Sequence, residues 1–392
     1  QSPSQGVPPR TAHAPASSPS RVTRRGVLQS SEGPLRVLAT LEAPDSTPVV
    51  AVAFARAGLV AGLGLLDGRI LLHDLRAAQS RPLSSFPAQS AGALQELRLS
   101  PSGTSAATWG FPLGTHIFRT ADGATLWRTA MNAPGGLMDA ALLESQGTAP
   151  MVRVAVPDAP LALAADDPFR WADEGKFGTA VYTRPLAAPV SPANALPVRI
   201  EEPKAEAGFL ASTEERPDRR WRVRDRVLSA DGQWLFTIST GGELRGQRGI
   251  ALSLYDLQAR SILGAPTVKR VARIVEPESA LAFPFATTPD LTWVAGSDFP
   301  LGLIVRSLRD HARHTLPVGA VRPDAQLALS PNAEQIAIAR GAQLDVWGVR
   351  EARRLQIWTL GAEVTALAFA PFAPGQHLLA VGLANGLAVL LG

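Results

Sequence analysis

The densest run of charge in the chain is Glu214-Glu215-Arg216-Pro217-Asp218-Arg219-Arg220-Trp221-Arg222-Val223-Arg224-Asp225-Arg226. Guanidinium groups interleaved with an aromatic ring can hold phosphates and stack on a base. Here four carboxylates stand among six arginines, so the stretch carries only +2. That balance disfavours a polyanion, and nucleic acid is not the expected partner. From Trp221 onward the alternation fits a strand with one buried face and one arginine-lined exposed face. Such a face suits an acidic protein surface. Arg219, Arg220, Trp221, Arg222 and Arg224 are accordingly the candidate partner-binding residues.

Other constellations are weaker. His311 and His314 form an H-x-x-H within Arg309-Asp310-His311-Ala312-Arg313-His314. Two imidazoles three apart can share a metal on a helix, but this segment reads as a turn flanked by arginines, and a site needs three or four ligands. No metal is expected. The chain has no cysteine, which excludes disulfides, thiolate catalysis and thiolate-bound clusters. Gly62-Leu63-Gly64 has no following helix and no Gly-Lys-Ser/Thr, so it is not a phosphate loop. Glu201-Glu202 and Asp166-Asp167 fall in loops with nothing to position them. No catalytic residue is assigned, and the chain is not read as an enzyme.

The elements that would carry these residues recur as a phrase. An apolar strand runs into a Ser/Ala-Pro or Ala-Asp-Gly turn, then a small-residue strand, a polar turn and a third strand. The final copy is clearest: Val364–Phe369, Leu378–Gly382, the Asn385-Gly386 turn and Leu387–Leu390. Asp-Gly and Asn-Gly between alternating strands favour hairpins, because a type I′ turn needs positive φ at both central residues. A repeat of about 40–50 residues built from short strands signifies a β-propeller. Inner-strand anchors fall at Phe54, Leu99, Leu142, Leu228, Phe283, Leu329 and Phe369, at spacings of 45, 43, 86, 55, 46 and 40. The gap of 86 marks a long irregular insertion around 157–220 or an extra degenerate blade. The expected fold is all-β: a seven-bladed β-propeller of four-stranded antiparallel blades over residues 35–392, with eight blades as the alternative count.

The last phrase stops after its third strand, and Leu35–Leu41 is a strand with no blade of its own. The N-terminal strand is therefore expected to complete the last blade and close the ring, which also pairs a sheet edge. Residues 1–34 are Ser/Pro-rich and aperiodic, and are read as a disordered basic tail or linker. Residues 1–36 hold the whole net charge: Arg10, Arg21, Arg24, Arg25 and Arg36 against Glu32 give +4, which equals the total for the chain. Hydrophobic residues make up 46% of the sequence, enough for a core. No apolar run approaches the ~20 residues a membrane span requires, so a soluble protein is expected. The rarity of lysine beside arginine, with abundant alanine, suggests a bacterial source. Gln1 leaves two compartments open: cytoplasmic, or extracytoplasmic if it is a processed N-terminus.

The phrase resembles the WD-repeat β-propeller family across residues 35–392. The matching features are the Ser-Pro and Ala-Asp-Gly turns, the Asp67-Gly68 and Asn385-Gly386 turns, and third strands ending His73-Asp74-Leu75, Tyr255-Asp256-Leu257 or Val346-Trp347-Gly348. Gly-His dipeptides and a true Trp-Asp pair are missing. The family's buried Asp–His–Ser–Trp network is thus mostly absent, with Asp67 its clearest remnant. Ala124-Thr125-Leu126-Trp127 after Asp122-Gly123 is similar to quinoprotein repeats but occurs once, so no cofactor is expected. The recurrent tryptophans read as packing between blades. The resemblance implies a non-catalytic protein–protein interaction scaffold, its partner another protein. The alternative is an enzyme or small-ligand-binding propeller working at the central channel. That reading requires Asp, Glu or His side chains converging in the channel, whereas the inner strands read as mostly Ala, Val, Leu and Phe.

Overall fold

The computed structural model describes residues 27–55, 60–75, 81–87, 94–110, 114–128, 139–144, 151–157, 179–185, 198–200, 222–244, 247–258, 268–277, 282–298, 302–371 and 377–392. Among them the chain forms small antiparallel sheets arranged as a β-propeller. Two strands come first, β1 (Val27–Ser30) and β2 (Val37–Glu42). One sheet then takes β3 (Val49–Phe54), β4 (Val60–Leu65), β5 (Arg69–Asp74) and β6 (Arg81–Pro87), and the next β7 (Glu96–Leu99), β8 (Ser105–Gly110), β9 (Gly114–Arg119) and β10 (Thr125–Arg128). A third is built from β11 (Asp139–Leu143), β12 (Met151–Pro157), β13 (Thr179–Pro185) and β14 (Val198–Ile200). A fourth comprises β15 (Arg222–Leu228), β16 (Trp234–Leu244), β17 (Gln247–Asp256) and β18 (Lys269–Pro277). A fifth comprises β19 (Ala282–Thr287), β20 (Trp293–Asp298), β21 (Gly302–Ser307) and β22 (Arg313–Leu316). The remaining strands are β23 (Gln326–Leu329), β24 (Gln335–Arg340), β25 (Gln343–Gly348), β26 (Arg353–Leu360), β27 (Val364–Phe369), β28 (Leu379–Leu383) and β29 (Leu387–Leu391). They form two sheets, ordered β1-β26-β25-β24-β23 and β2-β29-β28-β27.

One turn explains the Ser-Pro and Ala-Asp-Gly signals. After β7, β15, β19 and β23 the chain reverses at Ser100, Ser229, Thr288 and Ser330. Each side-chain oxygen accepts a hydrogen bond from the backbone N–H five residues on, at 3.1, 3.0, 3.0 and 2.9 Å. The fourth residue of each turn has a left-handed φ, taken by Gly103 and Gly232 in two copies and by Leu291 and Ala333 in the others. The residue before each turn is Leu99, Leu228, Thr287 or Leu329. The fifth anchor is therefore Thr287, not Phe283. A bulge between Ala282 and Phe285 displaces the register there, and spacing alone does not reveal it.

Apolar clusters lie between adjoining sheets rather than inside single ones. Val49, Leu63, Leu65 and Phe54 pack with Ala380, Ala388 and Leu390, joining the first sheet to the last. Leu344, Val346 and Trp358 pack with Leu379, Val381 and Val389. This answers why the strands alternate so weakly: both faces of a blade meet a neighbour, so both are apolar. The seam between β7–β10 and β11–β14 differs in carrying a polar clasp. Glu144 accepts from the Ser102 amide and hydroxyl, both at 2.8 Å, and from the Thr104 hydroxyl at 3.0 Å.

The N-terminal segment is tied to two sheets. β2 pairs antiparallel with β29, with Thr40 opposite Val389 and Leu41 opposite Ala388. Arg36 and Gly392 exchange both backbone bonds at 2.9 Å. Upstream, β1 pairs with β26 as a fifth strand. The tail read as disordered through residue 34 therefore carries structure from Val27. The join is made by Gln356, 3% exposed, which accepts from the Leu35 amide at 3.0 Å and donates to the Leu35 and Ser31 carbonyls at 3.0 and 3.2 Å. Residues 1–26 lie outside the described residues. The expected insertion at 157–220 contains β13 and β14, and its remaining parts are also outside them.

Candidate functional site at the central channel

The innermost strands β3, β7, β11, β15, β19, β23 and β27 all contribute to one cavity of about 440 Å³ on the axis of the propeller. Its wall is divided by chemistry. From β7, β11 and β15 come Glu96, Arg98, Asp139, Asp225 and Arg226. From β3, β19, β23 and β27 come Phe54, Phe285, Leu329, Leu367 and Phe369. The reading of the inner strands as Ala, Val, Leu and Phe thus holds on one side of the channel and fails on the other.

Arg98 is the hub of the charged side. Its guanidinium lies 3.0 Å from a carboxylate oxygen of Asp139, donates to the Leu228 carbonyl at 3.0 Å, and stands over the Trp109 ring at 5.3 Å from the centroid. One arginine therefore touches three successive sheets. Asp139, 3% exposed, also accepts from its neighbour's amide, Ala140, at 2.8 Å and from the Leu228 amide. Burial raises the Asp139 pKa, while Arg98 and the two amides act against that rise. Charge-assisted bonds of this kind are about twice as strong as neutral ones, and they fix the group that makes them.

Glu96 differs. Its side chain stands in the lumen, open to channel solvent yet ringed by the inner strands. Desolvation there, reinforced by the nearby Asp139 and Asp225, pushes its pKa up to about 7. Arg98 and a hydrogen bond from the Trp109 side chain oppose the shift. A carboxyl titrating near neutrality in a cleft marks a place where charge is easily exchanged. The Asp225 carboxylate accepts from the Arg226 amide at 2.8 Å.

The sequence-derived candidates fare unevenly. Arg219, Arg220 and Trp221 lie outside the described residues, while Arg222 and Arg224 fall on β15, an innermost strand. The arginine-lined exposed face expected of this strand is corrected at Arg226, which is 4% exposed. An innermost strand has neighbours on both sides, so alternation along it does not separate buried from solvated. His311 sits in a turn at positive φ, while His314 lies on β22 against the Trp293 ring at 5.7 Å. Among the described residues no group of His, Cys, Asp or Glu is placed to hold a metal ion. Asp67 is no remnant of a buried network: it receives the Arg69 amide at 3.0 Å and the Arg69 side chain at 2.6 Å, within its own turn.

A signal for the channel charges was present in the sequence. Glu96, Asp139 and Asp225 each lie three residues before an anchor, Leu99, Leu142 and Leu228. Acids at one register position in three successive repeats point to one ring face, and composition alone hides them. No family model and no curated protein matches this chain. The propeller therefore stands on its geometry, and membership of the WD-repeat family gains no support from those comparisons.

Proposed function

We propose that the protein is a non-catalytic recognition module: a seven-bladed propeller closed by β2, which binds a small molecule in its central channel. One observation carries this reading, the convergence of three carboxylates and two guanidiniums on one side of a cavity whose other side is apolar. Ligand sites typically combine an apolar lining with a few convergent polar groups and shifted pKa values. A cavity of about 440 Å³ lies within the ordinary range for such sites. The hydroxyls of the described lining, Thr287 and Thr288, belong to β19 and its turn, away from the charged strands, and the Thr288 hydroxyl accepts from the Trp293 amide, so binding is favoured over turnover.

The test is a fragment screen by thermal shift, repeated on Ala368→Phe. Ala368 is on β27 and lines the cavity, so the added ring projects into it and narrows it. Fragments that raise the midpoint of the native protein but not of the narrowed variant support the reading. Fragments that stabilise both equally bind elsewhere and sink it. A protein scaffold is also compatible with the fold; its proposed contact, around Arg219–Arg224, calls for partner capture by the native chain and by an Arg222→Ala/Arg224→Ala variant.

A further inference from the structure

We propose that the ligand taken by the channel is a small organic monocation with an apolar body, its charged head beside Glu96 and Asp225 and its body along Phe54, Leu367 and Phe369. This inference rests on the channel reading above. Three observations lead to it. The charged side carries three carboxylates against two guanidiniums, a deficit of one positive charge when all are ionised. Arg98 and Asp139 are already committed to each other and to backbone groups of β11 and β15, so the lumen-facing Glu96 is the group a ligand meets. The opposite side presents aromatic and aliphatic faces, which favour a hydrocarbon body, and an aromatic face also attracts a cation.

Alternatives fit less well. A divalent metal would need three or more oxygen ligands around one point, and the described residues assemble no such set. The guanidiniums of Arg98 and Arg226 on the same wall also oppose a doubly charged ion. An anion would face Glu96, Asp139 and Asp225 together. A neutral hydrocarbon would favour the protonated Glu96 and take up a proton where a cation releases one, the difference the titration below reads.

The charged or titratable groups facing Glu96 are Arg98 from its own strand, Asp139 from β11, and Asp225 and Arg226 from β15, with the Trp109 side chain from β8. None comes from the described lining of β3, β19, β23 or β27. With the channel empty, Glu96 titrates near neutrality. A bound cation favours its ionised form, so uptake displaces the Glu96 proton into solvent as the ammonium takes its place.

Three probes of one shape test this by isothermal titration: benzylammonium, benzyl alcohol and benzoate. The expected result is binding of benzylammonium in preference to the other two. Its affinity should rise about tenfold per unit of increasing pH up to about 7 and level off above it, with about half a proton released at pH 7 and nearly one a unit below. In Glu96→Gln, whose amide imitates the protonated carboxyl and so leaves the fold undisturbed, affinity falls about 10- to 100-fold, as loss of a hydrogen bond to a charged group requires. The pH dependence disappears with it. Arg98→Met, which removes the guanidinium facing Glu96, should change the proton release without abolishing it. Preference for benzoate or benzyl alcohol, lost in Ala368→Phe, overturns the cationic class and leaves the channel reading standing. Binding of no probe, or binding that survives in Ala368→Phe, overturns both.

Discussion

Leu41 and Leu38 lie on the same strand, three residues apart, and offer a test of how the last sheet is completed. Leu41 is 1% exposed and packs with Leu63, Leu65, Ala388 and Leu390, whereas Leu38 is 53% exposed. Truncating each to alanine removes the same atoms from different surroundings. For a buried leucine the lost transfer energy and the residual cavity together cost about 2–5 kcal/mol, here taken as about 3. An exposed position away from special features changes stability by less than about 0.5 kcal/mol. The unfolding entropy near 60 °C is about 2.1 cal/mol/K per residue. Spread over a propeller of this size, about 3 kcal/mol becomes a fall in melting temperature of about 4 °C. Differential scanning calorimetry on the two variants and the parent reads this directly. Equal shifts from Leu41→Ala and Leu38→Ala, or none from either, would refute the placement of β2 against β29. The comparison is internal, since both variants keep the chain length and the backbone of the strand.

Other predictions concern single groups. Gly386 has φ 83° and a Cβ there would press on the Ser46 backbone; Gly386→Ala should therefore cost about 1–2 kcal/mol from left-handed strain and more from the contact, read by denaturant unfolding. His73 is buried, with its pKa lowered to about 4 by desolvation. Its folded pKa lies below the unfolded value of 6.5, so the protein is stabilised fully above pH 6.5 and loses about 3 kcal/mol as the pH falls from 6.5 to 4. Stability curves for His73→Leu should be flatter by that amount across this window, and an unchanged slope would exclude His73 as the cause. Asp345, 2% exposed, accepts from Arg340 and Gln343, each at 3.0 Å. Asp345→Ala strands the Arg340 charge and should destabilise by about 3 kcal/mol or more, whereas an effect below about 1 kcal/mol in urea unfolding would show the pair to be solvated.

Local chemistry was the legible part of this fold. Ser100, Ser229 and Ser330 announce their turns because the side chain and the fourth residue make the whole reversal within a few positions. Asn385-Gly386 does the same for β28 and β29, and the unpaired strand at residues 35–41 pointed to its place beside β29 because a missing fourth strand and a spare one were both visible. The β1 strand was not legible. Val27-Leu28-Gln29-Ser30 has too little apolar character to stand out from a polar tail, and what orders it is the edge of β26 and the amide of Gln356, far along the chain. Removal of residues 1–33, which would cost nothing if 1–34 were a disordered tail, deletes those contacts and is expected to lower stability. Arg226 was misread, and Glu96 passed over, for a related reason: alternation assigns faces within one strand, whereas the lumen is a property of the ring, created only when the inner strands face one another.

The Gln356 clasp has a consequence for the order in which the protein is made. Leu35 and its partner lie 321 residues apart, so nearly the entire chain must leave the ribosome before the first strands find their places. Until then β1 and β2 are unpaired edges beside a growing stack of sheets. At about 5–20 residues per second that exposure lasts on the order of a quarter of a minute to a minute. Pairings so distant in sequence also form slowly once they can form. A nascent propeller of this design is thus a natural client for a chaperone that covers strand edges, and a stop codon in β28 would release a ring in which β1 still finds β26 but β2 has no β29 to pair with.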